Sequence, residues 1–334
     1  MVKYIIRRLL MLIPVLIGVS ILAFSLIHLV PGDPARSILG EKATADQLEA
    51  LREELGLNDP YFMQYGRFLG DIVQGNLGES IQSKESVGLE LFQKLPATME
   101  LAVFAMILAI VIGVLAGVIA AVKQYSWFDN LSMTGALFGV SLPIFWLGLM
   151  MIWIFSVTFN ILPPSGRLST GVDLQTITNF YLLDSILTGN WTAFWDVLTH
   201  LLMPGVALAT IPMAIIARMT RSSMLEVMNQ DYIRTANAKG LKKPIIIFQH
   251  ALKNASLPVL TVIGLQFGML LGGAVLTESI FSWPGVGRYV YLAVLGRDYP
   301  VVQSTILVIA IIFVLVNLVT DVLYKYLDPR IKFE

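Results

Sequence analysis

Six stretches of this chain run for 20 or more residues without an aspartate, glutamate, lysine or arginine: 9–30, 101–122, 131–159, 197–217, 257–276 and 301–320. A helix of about 20 apolar residues crosses the hydrocarbon core of a bilayer, where no water satisfies an open backbone. Each stretch is therefore read as a spanning helix, and the fold class as an all-α integral membrane protein with six spans. The first stretch follows Lys3, Arg7 and Arg8, as a signal peptide would. Its apolar run exceeds the usual h-region of about 7–15 residues and no small-x-small cleavage site follows, so it reads as a retained helix. Composition agrees: 56% of the residues are hydrophobic and 14% charged, against roughly 25% charged in a soluble domain. The same balance excludes a disordered chain. With 23 basic and 23 acidic residues there is no basic excess for nucleic acid, and the absence of cysteine excludes disulfides and thiol nucleophiles.

The distribution of Lys and Arg gives the orientation. With the N-terminus inside, 14 of the 23 basic residues fall on inner segments, seven of them between Arg218 and Lys253. Both termini are expected in the cytoplasm. Resolved by side, the net charge of zero becomes +8 inside and −8 outside.

The spans divide the chain into an N-terminal tail and first span (1–30), an outer loop domain (31–96) and a core of five spans (97–334). In the outer loop, Thr44 and Gln47 form a capping-box pattern ahead of Leu48, Leu51 and Leu55, and Gly56 stops that helix. Pro60 opens another, with Phe62, Tyr65, Leu69 and Ile72 on one side. This domain is either a solvated cap or a contact surface for an outer partner. Segment 173–196 is interrupted by Asp173, Asp184 and Asp196 and reads as interfacial, not as a seventh span. Trp283, in the turn Ser282-Trp283-Pro284-Gly285, is placed as a headgroup anchor.

Inside the membrane, Gly264, Gly268 and Gly272 form one stripe at every fourth position, for helix packing or for lining a pathway; Gly113 and Gly117 repeat the spacing. Pro14, Pro143, Pro204 and Pro212 are expected to kink their spans. No reaction centre is legible. His28, His200 and His250 are isolated, and Glu100, Glu278 and Asp321 lie at span ends. No phosphate-binding G-x-x-x-x-G-K-[ST] loop occurs.

The inner loop 218–257 is the segment with structure of its own. Asp231 is placed as the cap of a short helix from Tyr232 to Lys239 that Gly240 terminates, and Pro244 begins a helix returning to the membrane. Met224, Leu225, Val227 and Met228 offer apolar contacts. A lipid-held loop needs only charge, so a capped helix favours a knob that docks into a cytosolic protein.

The segment Asp231-Tyr232-Ile233-Arg234-Thr235-Ala236-Asn237-Ala238-Lys239-Gly240-Leu241, followed by His250-Ala251-Leu252-Lys253-Asn254 and Leu257-Pro258, resembles the EAA loop of permeases from importers driven by ATP-binding cassettes. More narrowly, it is similar to permeases of dipeptide, oligopeptide and nickel importers. Pro31-Gly32-Asp33-Pro34, Leu55-Gly56-Leu57, Gly75-Asn76-Leu77-Gly78, Ser141-Leu142-Pro143 and Arg297-Asp298-Tyr299-Pro300 extend the resemblance along the chain in order. Gly272-Gly273 and Phe281-Ser282-Trp283-Pro284-Gly285 also resemble glutathione permeases. The resemblance implies a type I importer fold in a bacterial cell membrane. It implies a second related permease, two cytosolic ATPases that bind ATP and magnesium, and an extracytoplasmic solute-binding protein. This chain would hold no cofactor or metal. Asp231, Tyr232, Arg234, Thr235, Ala236, Ala238, Lys239 and Gly240 would belong to the helix that couples to the ATPases. Peptide is the expected substrate, with glutathione or a nickel chelate as alternatives, and an ion-coupled secondary carrier is the alternative of another class.

Overall fold

The computed structural model describes residues 2–29, 34–40, 43–54 and 56–327. Pro31, Gly32, Asp33, Leu55, Arg330 and Lys332 lie outside them, as do the side chains of Lys3, Arg7, Arg8, His28, Asp321 and Lys325. The described chain is all-α, with a single isolated β-bridge between Glu79 and Ser86. In order the helices are α1 (Val2–Leu29), α2 (Pro34–Leu39), α3 (Ala45–Glu54), α4 (Tyr61–Val73), α5 (Val87–Val122), α6 (Trp127–Ser141) and α7 (Ile144–Met151). They continue with α8 (Tyr181–Leu187), α9 (Trp191–Met228), α10 (Asp231–Ala238), α11 (Lys243–Ile245), α12 (Lys253–Gly273), α13 (Val275–Ile280), α14 (Val286–Leu295) and α15 (Tyr299–Leu327). Two π-helical stretches, Ile152–Thr158 and Ile246–Leu252, extend α7 and join α11 to α12.

Among the described residues, four helices are long and apolar enough to cross a membrane: Val87–Val122, Trp191–Met228, Lys243–Gly272 and Tyr299–Val319. Residues 9–29 of the first apolar stretch lie within α1. Over the expected span 131–159 the proline at 143 does more than kink the helix. The chain breaks between α6 and α7 and turns by 101°. Pro143 supplies no N–H and forces Leu142 into extended backbone (φ −82°, ψ 129°), which a helix cannot absorb. Pro204 and Pro212, by contrast, sit inside the unbroken helix α9.

The chain divides into two compact units. One consists of Met1–Pro96 with Gly285–Leu315, so the described outer-loop helices share a unit with α1 and the start of α15. The capping box forms reciprocally: Thr44 N–H donates to Gln47 Oε1 (3.0 Å) and Gln47 N–H to Thr44 Oγ1 (3.4 Å). Helix α4 packs on α1 through Tyr65, which shares a 2.8 Å hydrogen bond with Ser20 and meets Phe24 edge-on at 5.5 Å. Phe62, expected on that face, is instead 70% exposed, because the contact with α1 is made one turn further along, at Tyr65 and Phe68. Asp298 Oδ2 accepts from Ser80 Oγ at 2.6 Å, tying the loop before α5 to the start of α15.

The other unit is Ala97–Pro284 with the chain from Val316 onward. Its centre is the packing of α12 and α6 against α9. Where α5 meets α9, a Cβ on Gly113 would lie 2.8 Å from the Met213 carbonyl oxygen, and one on Gly117 would lie 2.6 Å from that of Ala217. Only glycine permits this approach of two backbones. Gly139 of α6 is likewise held against Thr210.

Candidate functional site

Helix α10 is built almost entirely by local chemistry. Gln230 is the N-cap in extended backbone and makes no side-chain cap bond, so the placement of Asp231 as the cap is corrected by one residue. Asp231 is the first helical residue, where its carboxylate faces the positive end of the helix dipole. At the other end Lys239 is the C-cap and Gly240 adopts φ +75°. Gly240 N–H donates to Asn237 O (2.9 Å) and Leu241 N–H to Ala236 O (3.3 Å). This pair of bonds is a Schellman closure, which needs a left-handed residue at the position Gly240 occupies.

One face of α10 is fixed. Ile233 and Ala236 are buried in a cluster with Val118 and Ala121 of α5, Met224 of α9, and Ile246, Ala251 and Ala255 beyond α11. Leu225, Val227 and Met228 pack around the same cluster. They help anchor the loop to the helices. The opposite face is free: Asp231, Tyr232, Arg234, Thr235, Ala238, Lys239 and Gly240 are exposed. The helix is thus a rigid projection rooted in three long helices.

Below it sits a pair that sequence reading missed. Arg221 of α9 grips Asp129 of α6 through both carboxylate oxygens, Nε to Oδ1 at 2.6 Å and Nη2 to Oδ2 at 2.7 Å. Asp129 is 2% exposed. One of the seven basic residues of this loop therefore faces an acid 92 residues away, not Glu226 or Asp231.

The glycine stripe divides. Gly264 and Gly268 are buried, whereas Gly272 is exposed and has no atom within 4 Å of where its Cβ would stand.

A second polar centre binds the segment between α7 and α9 to α5. Arg167 donates to Glu100 Oε2 at 2.6 Å with both side chains about 95% buried (4% and 5% exposed). The guanidinium lies 3.7 Å over the Tyr181 ring and 5.5 Å from that of Trp283. Trp283 is fully buried and donates Nε1–H to Ala97 O at 2.9 Å, so its placement as a headgroup anchor is corrected. Burial pushes the Asp184 carboxyl up, but it accepts from the Thr178 hydroxyl and from the N–H groups of Thr178, Ile177 and Asn179. Together these hold it below the usual carboxylate range. His200 Nδ1 contacts Asp196 O at 2.9 Å. Asn190 accepts from Ala193 N–H and caps α9.

The family "Binding-protein-dependent transport system inner membrane component" matches residues 113–333, and its N-terminal counterpart, "Binding-prot-dependent transport system membrane comp, N-term", matches residues 1–102. The chain belongs to this family. It is an inner membrane component of a transport system that depends on a binding protein, and not a catalytic subunit. A self-sufficient ion-coupled carrier is thereby set aside. Across 100% of both chains it is 57% identical to the dipeptide transport system permease protein DppB of Alkalihalophilus pseudofirmus. It is 48% identical to the DppB of Escherichia coli K12, over 99% of each chain. The glutathione transport system permease protein GsiC of Escherichia coli O6:H1 is 40% identical over the full length of both. Segment 113–333 of the family match contains α10 and the whole of its buried root.

Proposed function

We propose that this chain is one of two related permease subunits that form the translocation pathway of an ATP-driven importer for dipeptides and short oligopeptides. The observation that carries the substrate class is the 57% identity over the full chain to a dipeptide permease. The weaker 40% identity to a glutathione permease makes glutathione, itself a small peptide, the second reading. In this proposal the chain crosses the bacterial cell membrane six times, with α6 and α7 as one broken crossing and both termini in the cytoplasm. Two cytosolic ATPases bind ATP and magnesium, and this chain binds neither. An extracytoplasmic solute-binding protein delivers the peptide.

Helix α10 is the coupling element, a reading supported by its fixed inner face and exposed outer face. ATP closes the paired ATPases because it binds the closed state more tightly. The grooves holding the α10 helices move together, and the attached helices switch the cavity between sides. Affinity purification of the chain in mild detergent tests the assembly. ATPase subunits and a second permease are expected to co-purify, and recovery of the chain alone under conditions that keep it folded contradicts the proposal. The ligand of the associated binding protein then distinguishes dipeptide from glutathione.

A further inference from the structure

The bent pair α6–α7 is held at two separated places. Its far arm is fixed where Gly148 packs on Phe281, within a cluster that also contains Met203 and Ala207. Its near end is fixed by the bidentate Asp129–Arg221 pair. Between the two, a cavity of about 200 Å³ opens beside α6, lined in part by Ile112, Leu131, Gly135, Thr210 and Met213, while Gly139 stays in close contact with Thr210. Gly135 has no neighbour within 4 Å of a Cβ. Helix α6 is therefore loosely packed along part of its length and firmly tied at its start.

That tie is unusually well specified. Asp129 accepts from Arg221 on both oxygens and also takes the Tyr125 N–H on Oδ2 at 2.9 Å. Tyr125 sits at φ +61°, a left-handed conformation that a bulky residue adopts only when its surroundings impose it. Ser126 caps the helix through Asp129 N–H at 3.4 Å. The turn between α5 and α6 is thus folded around the Asp129 carboxylate. Arg221 lies one turn of α9 before Met224, which is fully buried in the cluster that roots α10. A displacement of α10 that moves the end of α9 pulls directly on the start of α6.

Plain stabilisation would not call for this chemistry. A buried ion pair adds little that well-packed apolar side chains would not, whereas a planar fork on a carboxylate fixes distance and orientation at once. We propose that the Asp129–Arg221 pair is a positioning device that transmits movement of α10 to the bent pair α6–α7. The inference rests on α10 being the coupling helix.

The test uses the assembled transporter in proteoliposomes with its binding protein, reading peptide imported per ATP hydrolysed together with recovery of the ATPases in a detergent pull-down. Asp129→Asn keeps the acceptor for Tyr125 N–H but removes the charge. It is expected to lower peptide per ATP about tenfold, the scale of coupling carried by such networks, with ATPase recovery unchanged. Arg221→Lys keeps the charge but loses the fork, and is expected to lie between parent and Asp129→Asn. An unchanged ratio in Asp129→Asn overturns the proposal, and so does loss of the ATPases in step with loss of import, which marks a merely structural role. Gly240→Pro separates the two readings. If Gly240→Pro uncouples import and Asp129→Asn does not, the positioning role alone fails; if Gly240→Pro imports normally, the coupling reading itself fails.

Discussion

Gly240→Pro is expected to reduce peptide import about 100-fold, on the scale of a proline forced into a backbone that rejects it, while the subunit still inserts in the membrane. Two causes act at one position. The native φ of +75° lies outside the range of a proline ring, and proline has no N–H to donate to Asn237 O. The Schellman closure is lost and α10 no longer ends where Leu241 leads back to the membrane. Space is not the cause, because nothing lies within 4 Å of a Cβ at this position. Gly240→Ala is therefore a graded control. It meets no clash, keeps the N–H and suffers only the left-handed backbone, about 1–2 kcal/mol, so import is expected to fall by roughly tenfold. The effects are read as import rate at equal membrane content of the subunit, with ATP hydrolysis measured in parallel. Hydrolysis that continues while import stops is the signature of uncoupling.

The largest effect on stability is expected at the buried pair of Arg167 and Glu100. Arg167→Met leaves the Glu100 carboxylate in a site with 5% exposure and no cation, and removal of one partner of such a pair costs about 3–5 kcal/mol. It also removes the stacking on Tyr181 and the bond to Asn179 O. Glu100→Gln combined with Arg167→Met removes both charges and is expected to recover most of the loss. Thermal aggregation of the detergent-solubilised protein reads the series. A single variant as stable as the parent contradicts the assignment, and a double variant no better than the single one moves the effect from charge to packing.

Much of this was legible from residue order where the governing chemistry is local. Thr44 and Gln47 make the capping box that their spacing predicts, and α10 ends at Gly240 as its position after a helical run implies. The start of α10 shifted by one residue because Asp serves either as a cap or as a first-turn acid, and only backbone geometry distinguishes them. The bend at Pro143 was legible as a kink from the proline itself, but its 101° angle was not, since hydropathy reports the solvent and not the path of the chain. Trp283 was misplaced because a tryptophan in an outer turn suits either lipid headgroups or a buried slot, and the slot is made by Ala97 and Arg167, more than 100 residues earlier in the chain. The pairs Arg167–Glu100 and Asp129–Arg221 join residues 67 and 92 apart and leave no periodic trace. Their only signal was charge bordering apolar spans, where ionised groups are retained in partnership.

The central claim is that the exposed face of α10 meets a cytosolic ATPase. The chain contains no cysteine, so a single one at Arg234 is a unique handle, and the Arg234 side chain is 76% exposed. With the complete transporter in membranes, a short cysteine-directed photo-cross-linker on Arg234→Cys is expected to join this chain to an ATPase subunit, in a band that contains both. Cross-links from Arg234→Cys to the solute-binding protein, or labelling of that cysteine from outside intact cells, would contradict the account.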